Sequence, residues 1–118
     1  MPVLPTLRKL VRTLRDSEQG CPWVLQQNFG SLASFTIEEA FEVSACIEHA
    51  DWEGLSSELG DLLYQIVLYC QIGKENGMFD MDDVVEKLER KLKERHPQVF
   101  ANKTTRSSKG AINNWNEI

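Results

Sequence analysis

Two short stretches place acids where apolar residues prevail: Thr36 to Val43 reads TIEEAFEV, and Glu58 to Asp61 reads ELGD. At about 100° per residue, Glu38, Glu39 and Glu42 fall in one sector of their helix. Glu58, Asp61 and Gln65 share a stripe of the next. Only a few residues around Asp51 connect the two helices, which makes them antiparallel neighbours. Pairing about that turn sets Glu42 level with Asp61, with Glu39 and Glu58 about one turn to either side. Four carboxylates then converge, and such a cluster either takes up protons or binds cations. The donor set is all oxygen, with no histidine or cysteine at i+3 or i+4, which favours Mg²⁺ or Mn²⁺ over zinc. Di-iron bundles use Glu-x-x-His, and His49 and His96 fall outside that spacing. A plainer reading has Thr36 and Glu39 forming a capping box, Glu38 and Glu42 a solvated face, and Glu58 a surface acid. It suits one Glu-x-x-Glu alone. Two acidic pairs on one hairpin favour the metal site.

The elements that must carry these acids are helices. Leu4, Leu7, Leu10, Val11 and Leu14 recur at helical spacing and predict a first amphipathic helix of about ten residues. Gly20 and Pro22 punctuate a loop. A second helix starts at Ser31 or Thr36 and runs to about Ala50. Asp51 caps a third over about Trp52 to Asn76, with Gly77 as its stop. Asp80 or Asp82 caps a fourth, which carries Val84, Val85, Leu88 and Leu92 and must end before Pro97. The tail from Ala101 is a polar loop followed by one or two helical turns. No stretch alternates as a strand does, so the class is all-α, one domain over residues 1–118.

A formal charge of −5 argues against binding nucleic-acid polymers, which needs a basic face. Cys21, Cys46 and Cys70 are an odd number, and two sit in apolar helical patterns where a thiol behaves as a small hydrophobe. The start lacks the apolar run of a signal peptide, and no window approaches the ~20 apolar residues of a membrane span. The expectation is a soluble cytoplasmic protein. Lys87, Lys91 and Arg95 recur at i+4 on the fourth helix, a like-charge stripe that something anionic should face. The alternative is that Asp83, Glu94 and nearby acids pair with it on a wet surface. Trp23 and Trp115 have the rings to stack on a base; Trp23 reads as a core anchor and Trp115 as a substrate contact.

EEAFE, followed sixteen residues after Glu42 by ELGDLL, resembles the EExxE…ExxD signature of the MazG nucleotide pyrophosphohydrolases. GCPW (Gly20 to Trp23), Gln27, ELGDLLYQIVLY, KLKERHPQVF (Lys91 to Phe100) and the ending around Trp115 and Glu117 resemble MazG segments in the same order. The resemblance implies an all-α, Mg²⁺-dependent enzyme that cleaves nucleoside triphosphates between the α and β phosphates. By position, Glu39, Glu42, Glu58 and Asp61 match its metal ligands. Glu38 either orients or deprotonates the attacking water or supports the shell. Lys91 and Arg95 lie in the MazG-like segment as phosphate contacts, with Lys87 beside them. Val24 stands where the family commonly has aspartate and Asn28 where it has threonine, which leaves base preference open.

Leu62 to Ile72 reads LLYQIVLYCQI, interrupted only by Gln65 and Gln71. A helix apolar nearly all round must be covered on nearly all sides, and four modest helices leave part of it bare. A two-fold dimer with a four-helix core supplies the cover. The resemblance also implies a homodimer, or a tetramer of two such pairs. A different class of function is a metal-stabilised helical interaction module that has lost turnover.

Overall fold

The computed structural model describes residues 2–101. Every regular element in them is helical: α1 (Val3–Leu14), α2 (Pro22–Leu25), α3 (Phe29–Glu48), α4 (Trp52–Glu75), α5 (Met81–Arg95) and α6 (Pro97–Phe100). They fall into two compact units, the first ending at Asp80 and the second beginning at Met81. Trp115, read above as a substrate contact, and Glu117 lie outside the described residues.

The first unit is built on the α3–α4 hairpin, with α1 packed on α4. Leu68 and Ile72 of α4 are fully buried with Val67 and Cys70, and Leu32, Val11 and Val24 are buried from α3, α1 and α2. The aromatic rings of Tyr69 and Phe79 each lie about 6 Å from Phe29, closing the far end of the hairpin. The near end turns through His49, Ala50 and Asp51. Ala50 takes a left-handed φ of 52°, and the Asp51 carboxylate accepts from Gly54 N–H at 2.9 Å to cap α4. After α4, Gly77 at φ 68° reverses the chain. Gly73 lets that return pass close, since a Cβ there would meet the Phe79 ring at 2.8 Å.

The start of α3 differs from the expectation. Asn28, extended at φ −141°, accepts from Ser31 N–H while Ser31 Oγ accepts from Asn28 N–H, both at 2.9 Å. This is the capping box, eight residues before the expected one at Thr36 and Glu39. Thr36 is interior: its hydroxyl reaches the Leu32 carbonyl and the Tyr69 hydroxyl. Glu39 is therefore not a capping residue and is free for another role. Asn28, the departure from the family's threonine, spends its side chain on this cap.

Two single-turn helices were absent from the sequence reading, because four residues are too few to show a period. Both begin with proline at the first position, where the missing N–H costs nothing. Arg15 completes α2 from outside. Its Nη1 donates to the carbonyls of Val24, Leu25 and Gln27 at 2.8, 3.3 and 3.0 Å, while Nε and Nη2 grip the Glu75 carboxylate at 3.2 and 2.5 Å. The guanidinium thus adds a charged donor to the carbonyls at and just beyond the end of α2 and ties α2 to the end of α4. The same contact holds the Glu75 carboxyl below its ordinary range.

In the second unit α5 packs on α6. α5 carries Lys87, Lys91 and Arg95 on its i+4 stripe, with Lys87 and Lys91 exposed.

Replacing Arg15 by Gln strips several carbonyls and one carboxylate of a charged donor. Urea unfolding should show a loss of about 2–3 kcal/mol, exceeding that of Glu75→Gln, which leaves the carbonyl bonds in place. Equal losses would mean that only the ion pair matters.

Candidate metal centre

Glu39 of α3 and Glu58 and Asp61 of α4 each offer a carboxylate oxygen, and the three atoms lie within 4.8 Å of one another. Burial is graded across the group: Glu39 is 7% exposed, Glu58 is half-buried and Asp61 is exposed. The Oε2 atoms of Glu39 and Glu58 are both enclosed, and no donor faces either while the carboxyls are ionised. Enclosed carboxylate oxygens without partners are rare in native proteins because each forfeits its hydration. A cation answers that cost at both at once.

Glu42 joins through Glu58. A hydrogen bond between the two carboxyls, then the negative charge of Glu58, burial and the charge of Asp61 push Glu42 above the ordinary glutamate range. Glu58 is raised too, first by its hydrogen bond with Glu39, with burial and the charges of Glu39 and Asp61 adding to it against an opposing bond from Glu42. The level pairing expected from sequence, Glu42 with Asp61, is shifted. α3 ends at Glu48 and α4 begins at Trp52, so the turn centres on Ala50 and residues equidistant from it meet, Glu42 with Glu58 and Glu39 with Asp61. Glu38 is exposed and outside the trio. Cys46, one turn beyond Glu42, has its thiol pushed up by burial and then by the charges of Asp51, Glu58, Glu42 and Glu39. That disfavours the thiolate a metal needs, so the donors that fit are oxygens, the set suited to a hard divalent cation.

Beside the acids opens a concavity of about 220 Å³ whose wall includes Trp23, Phe35, Tyr64 and Gln65 together with Glu39 and Asp61. Trp23 is half-exposed and meets Phe35 edge-on at 6.1 Å. It is not the core anchor expected, because α2 is a single turn held at the surface by Arg15, and Val24 takes the buried position instead. Phe35 and Tyr64 were missed as site residues. Their spacing could have found them: Phe35 precedes Glu39 by four and Tyr64 follows Asp61 by three, placing both on the acid-bearing faces. The basic residues Lys87, Lys91 and Arg95 belong to the second unit.

Fold and site together define a helical protein whose hairpin crowds carboxylates able to hold a cation next to an aromatic-walled cavity. The MazG nucleotide pyrophosphohydrolase domain matches residues 27–100, and the chain belongs to that family. It is 41% identical over 112 residues to the nucleoside triphosphate pyrophosphohydrolase of Escherichia coli strain K12, covering 95% of this chain and 43% of that protein. Against the nucleoside triphosphate pyrophosphohydrolase/pyrophosphatase MazG of Thermotoga maritima the identity is 37%, over 95% and 42%. The chain thus spans less than half the length of these curated relatives. The crystal structure of a MazG-related protein from Thermotoga maritima matches with a TM-score of 0.77 at 25% identity, over 97% of this chain and 96% of that one.

Raised carboxyls give a pH signature. A carboxyl whose folded value lies above its unfolded one favours the folded state while protonated; that contribution is full below the ordinary 4.5 and disappears as pH rises through the raised folded values. Metal-free protein should lose thermal stability as pH climbs from about 4.5 through the raised values of Glu42 and Glu58, and Glu42→Gln should flatten the slope. A melting temperature equally steep in the variant would remove Glu42 from the cluster.

Proposed function

We propose that this chain hydrolyses nucleoside triphosphates between the α and β phosphates, yielding the monophosphate and pyrophosphate. The observation that carries the reading is the convergence of Glu39, Glu58 and Asp61, with two unpartnered oxygens, beside a cavity walled by aromatic rings. Glu39, Glu42, Glu58 and Asp61 hold Mg²⁺, or Mn²⁺ in its place. When bound, such an ion neutralises phosphate oxygens and makes water a better nucleophile. Glu38, exposed one helical turn before Glu42, orients the attacking water or accepts its proton. Lys91 and Arg95 bind the phosphates, supported by Lys87, and Trp115 contacts the nucleotide. The family match runs across the boundary at Asp80, which supports a single domain over the chain. The relatives' names support the substrate class. A role in cleansing the cytoplasmic nucleotide pool follows from that chemistry. No helix among the described residues is long and apolar enough to cross a membrane.

The working form is a homodimer or a pair of such dimers. Ile37, Phe41, Trp52, Leu59, Leu63 and Ile66 of the hairpin remain exposed, Phe41 at 71%. So many large apolar side chains bare on two adjoining helices point to a covering surface, and hairpins from two chains meet that need as a four-helix core.

With Mg²⁺ and a panel of ribo- and deoxyribonucleoside triphosphates, the protein should release pyrophosphate rather than orthophosphate. Glu39→Gln and Asp61→Asn should each lower that rate by about a hundredfold or more, as when a charge acting on the transition state is removed. Lys91→Ala and Arg95→Ala should chiefly raise KM. Intact helical protein that releases no pyrophosphate from any nucleotide would leave a metal-stabilised interaction module as the reading. Sedimentation at micromolar concentration should give at least twice the 13.5 kDa chain mass; a well-folded active species at that single mass would remove the dimer.

A further inference from the structure

Gln65, in the wall of the cavity beside the acids, carries an acceptor that neither the fold nor the proposed cation uses. Gln65 donates from Nε2 to the Phe35 carbonyl at 3.4 Å, while its Oε1 is enclosed and has no partner. The amide cannot profitably turn round, because the Phe35 carbonyl only accepts and would then face a second acceptor. Gln65 forms part of the wall of the cavity together with the rings of Trp23, Phe35 and Tyr64 and the carboxylates of Glu39 and Asp61. Those carboxylates accept as well. The wall is therefore largely aromatic and apolar, with an unpartnered acceptor at Gln65 among its polar atoms.

A flat aromatic group that brings its own N–H is the complement of such a wall: the rings take its faces, and its N–H meets the acceptor. We infer that Gln65 is a specificity-determining residue that accepts a hydrogen bond from the amino group of a nucleobase, so that the cavity selects nucleotides whose base carries one. This rests on the reading of the site as a nucleotide site, but not on turnover. An acceptor already enclosed and unpaired gains a hydrogen bond from a base that donates to it and nothing from one that does not. The selection therefore acts by favouring bases that carry the amino group.

Binding of nucleoside monophosphates, which cannot be cleaved to pyrophosphate, tests this by calorimetry in pairs that differ at the amino position: AMP against purine riboside monophosphate, CMP against zebularine monophosphate, and GMP against IMP. At least one amino-bearing member should bind about tenfold more tightly than its partner, the ratio one hydrogen bond sustains. Gln65→Met and Gln65→Leu, confirmed as helical by circular dichroism, should bring that ratio to within about twofold while still binding both members. Equal affinities in all three pairs of the wild-type protein, a preference for the amino-free members, no saturable binding of any of the six, or a preference that survives both substitutions would each overturn the inference. Pyrophosphate release assayed in parallel separates the two readings. Turnover without amino selectivity would overturn this inference alone, and selectivity without turnover would overturn the hydrolase reading alone.

Discussion

Everything in the first unit depends on apolar packing being strong enough to hold like charges together. Glu39, Glu58 and Asp61 cannot crowd within 4.8 Å unless something fixes α3 against α4, and the fixing is done by Leu32, Val67, Leu68 and Ile72 about two to three turns away. The acids are placed by the same helical spacing that places those apolar residues, so a helix rotation that relieved the repulsion would also expose the core. Raised carboxyls at Glu42 and Glu58 are the sign of this balance: crowding makes each harder to ionise than an isolated glutamate.

The helical class and the acidic constellation were legible because both rest on periodicity, which a sequence displays directly. The helix start at Asn28 was not, since Thr36 with Glu39 offers the same capping-box spacing and lies closer to the acids. Only the backbone decides between them, extended at Asn28 and helical through Thr36. The pairing level of the hairpin was missed by part of a turn for a similar reason. A three-residue connection centred on Ala50 differs by little from one centred past Asp51, yet it moves Glu42 from Asp61 to Glu58. The position of Trp23 was hidden too. Its surroundings are set by a single helical turn and by hydrogen bonds from Arg15, and neither leaves a pattern in nearby residues.

The aromatic wall and the acids share their helices, and this links recognition to chemistry. Phe35 and Glu39 are one turn apart on α3, as are Asp61 and Gln65 on α4. Any sliding of the hairpin that changed the spacing between the acids would also change the width of the cavity. Charge and shape are thus set by one degree of freedom, the register of two packed helices.

The contact between Arg15 and Glu75 joins positions 60 residues apart in the chain, which bears on the order in which the unit assembles. Made from the open chain, it would have to close that whole loop. Once α3 and α4 have paired, Phe29 is stacked close to Tyr69 and Phe79, and the free segment is only the roughly fourteen residues from Arg15 to Phe29. That is about two halvings of loop length, saving roughly 1.2 kcal/mol of closure entropy. The hairpin is therefore the natural first event, and α1 with α2 the last to dock. Run backwards, the same order makes α1 and α2 the segment that opens most readily in the native protein, ahead of any opening of the hairpin itself.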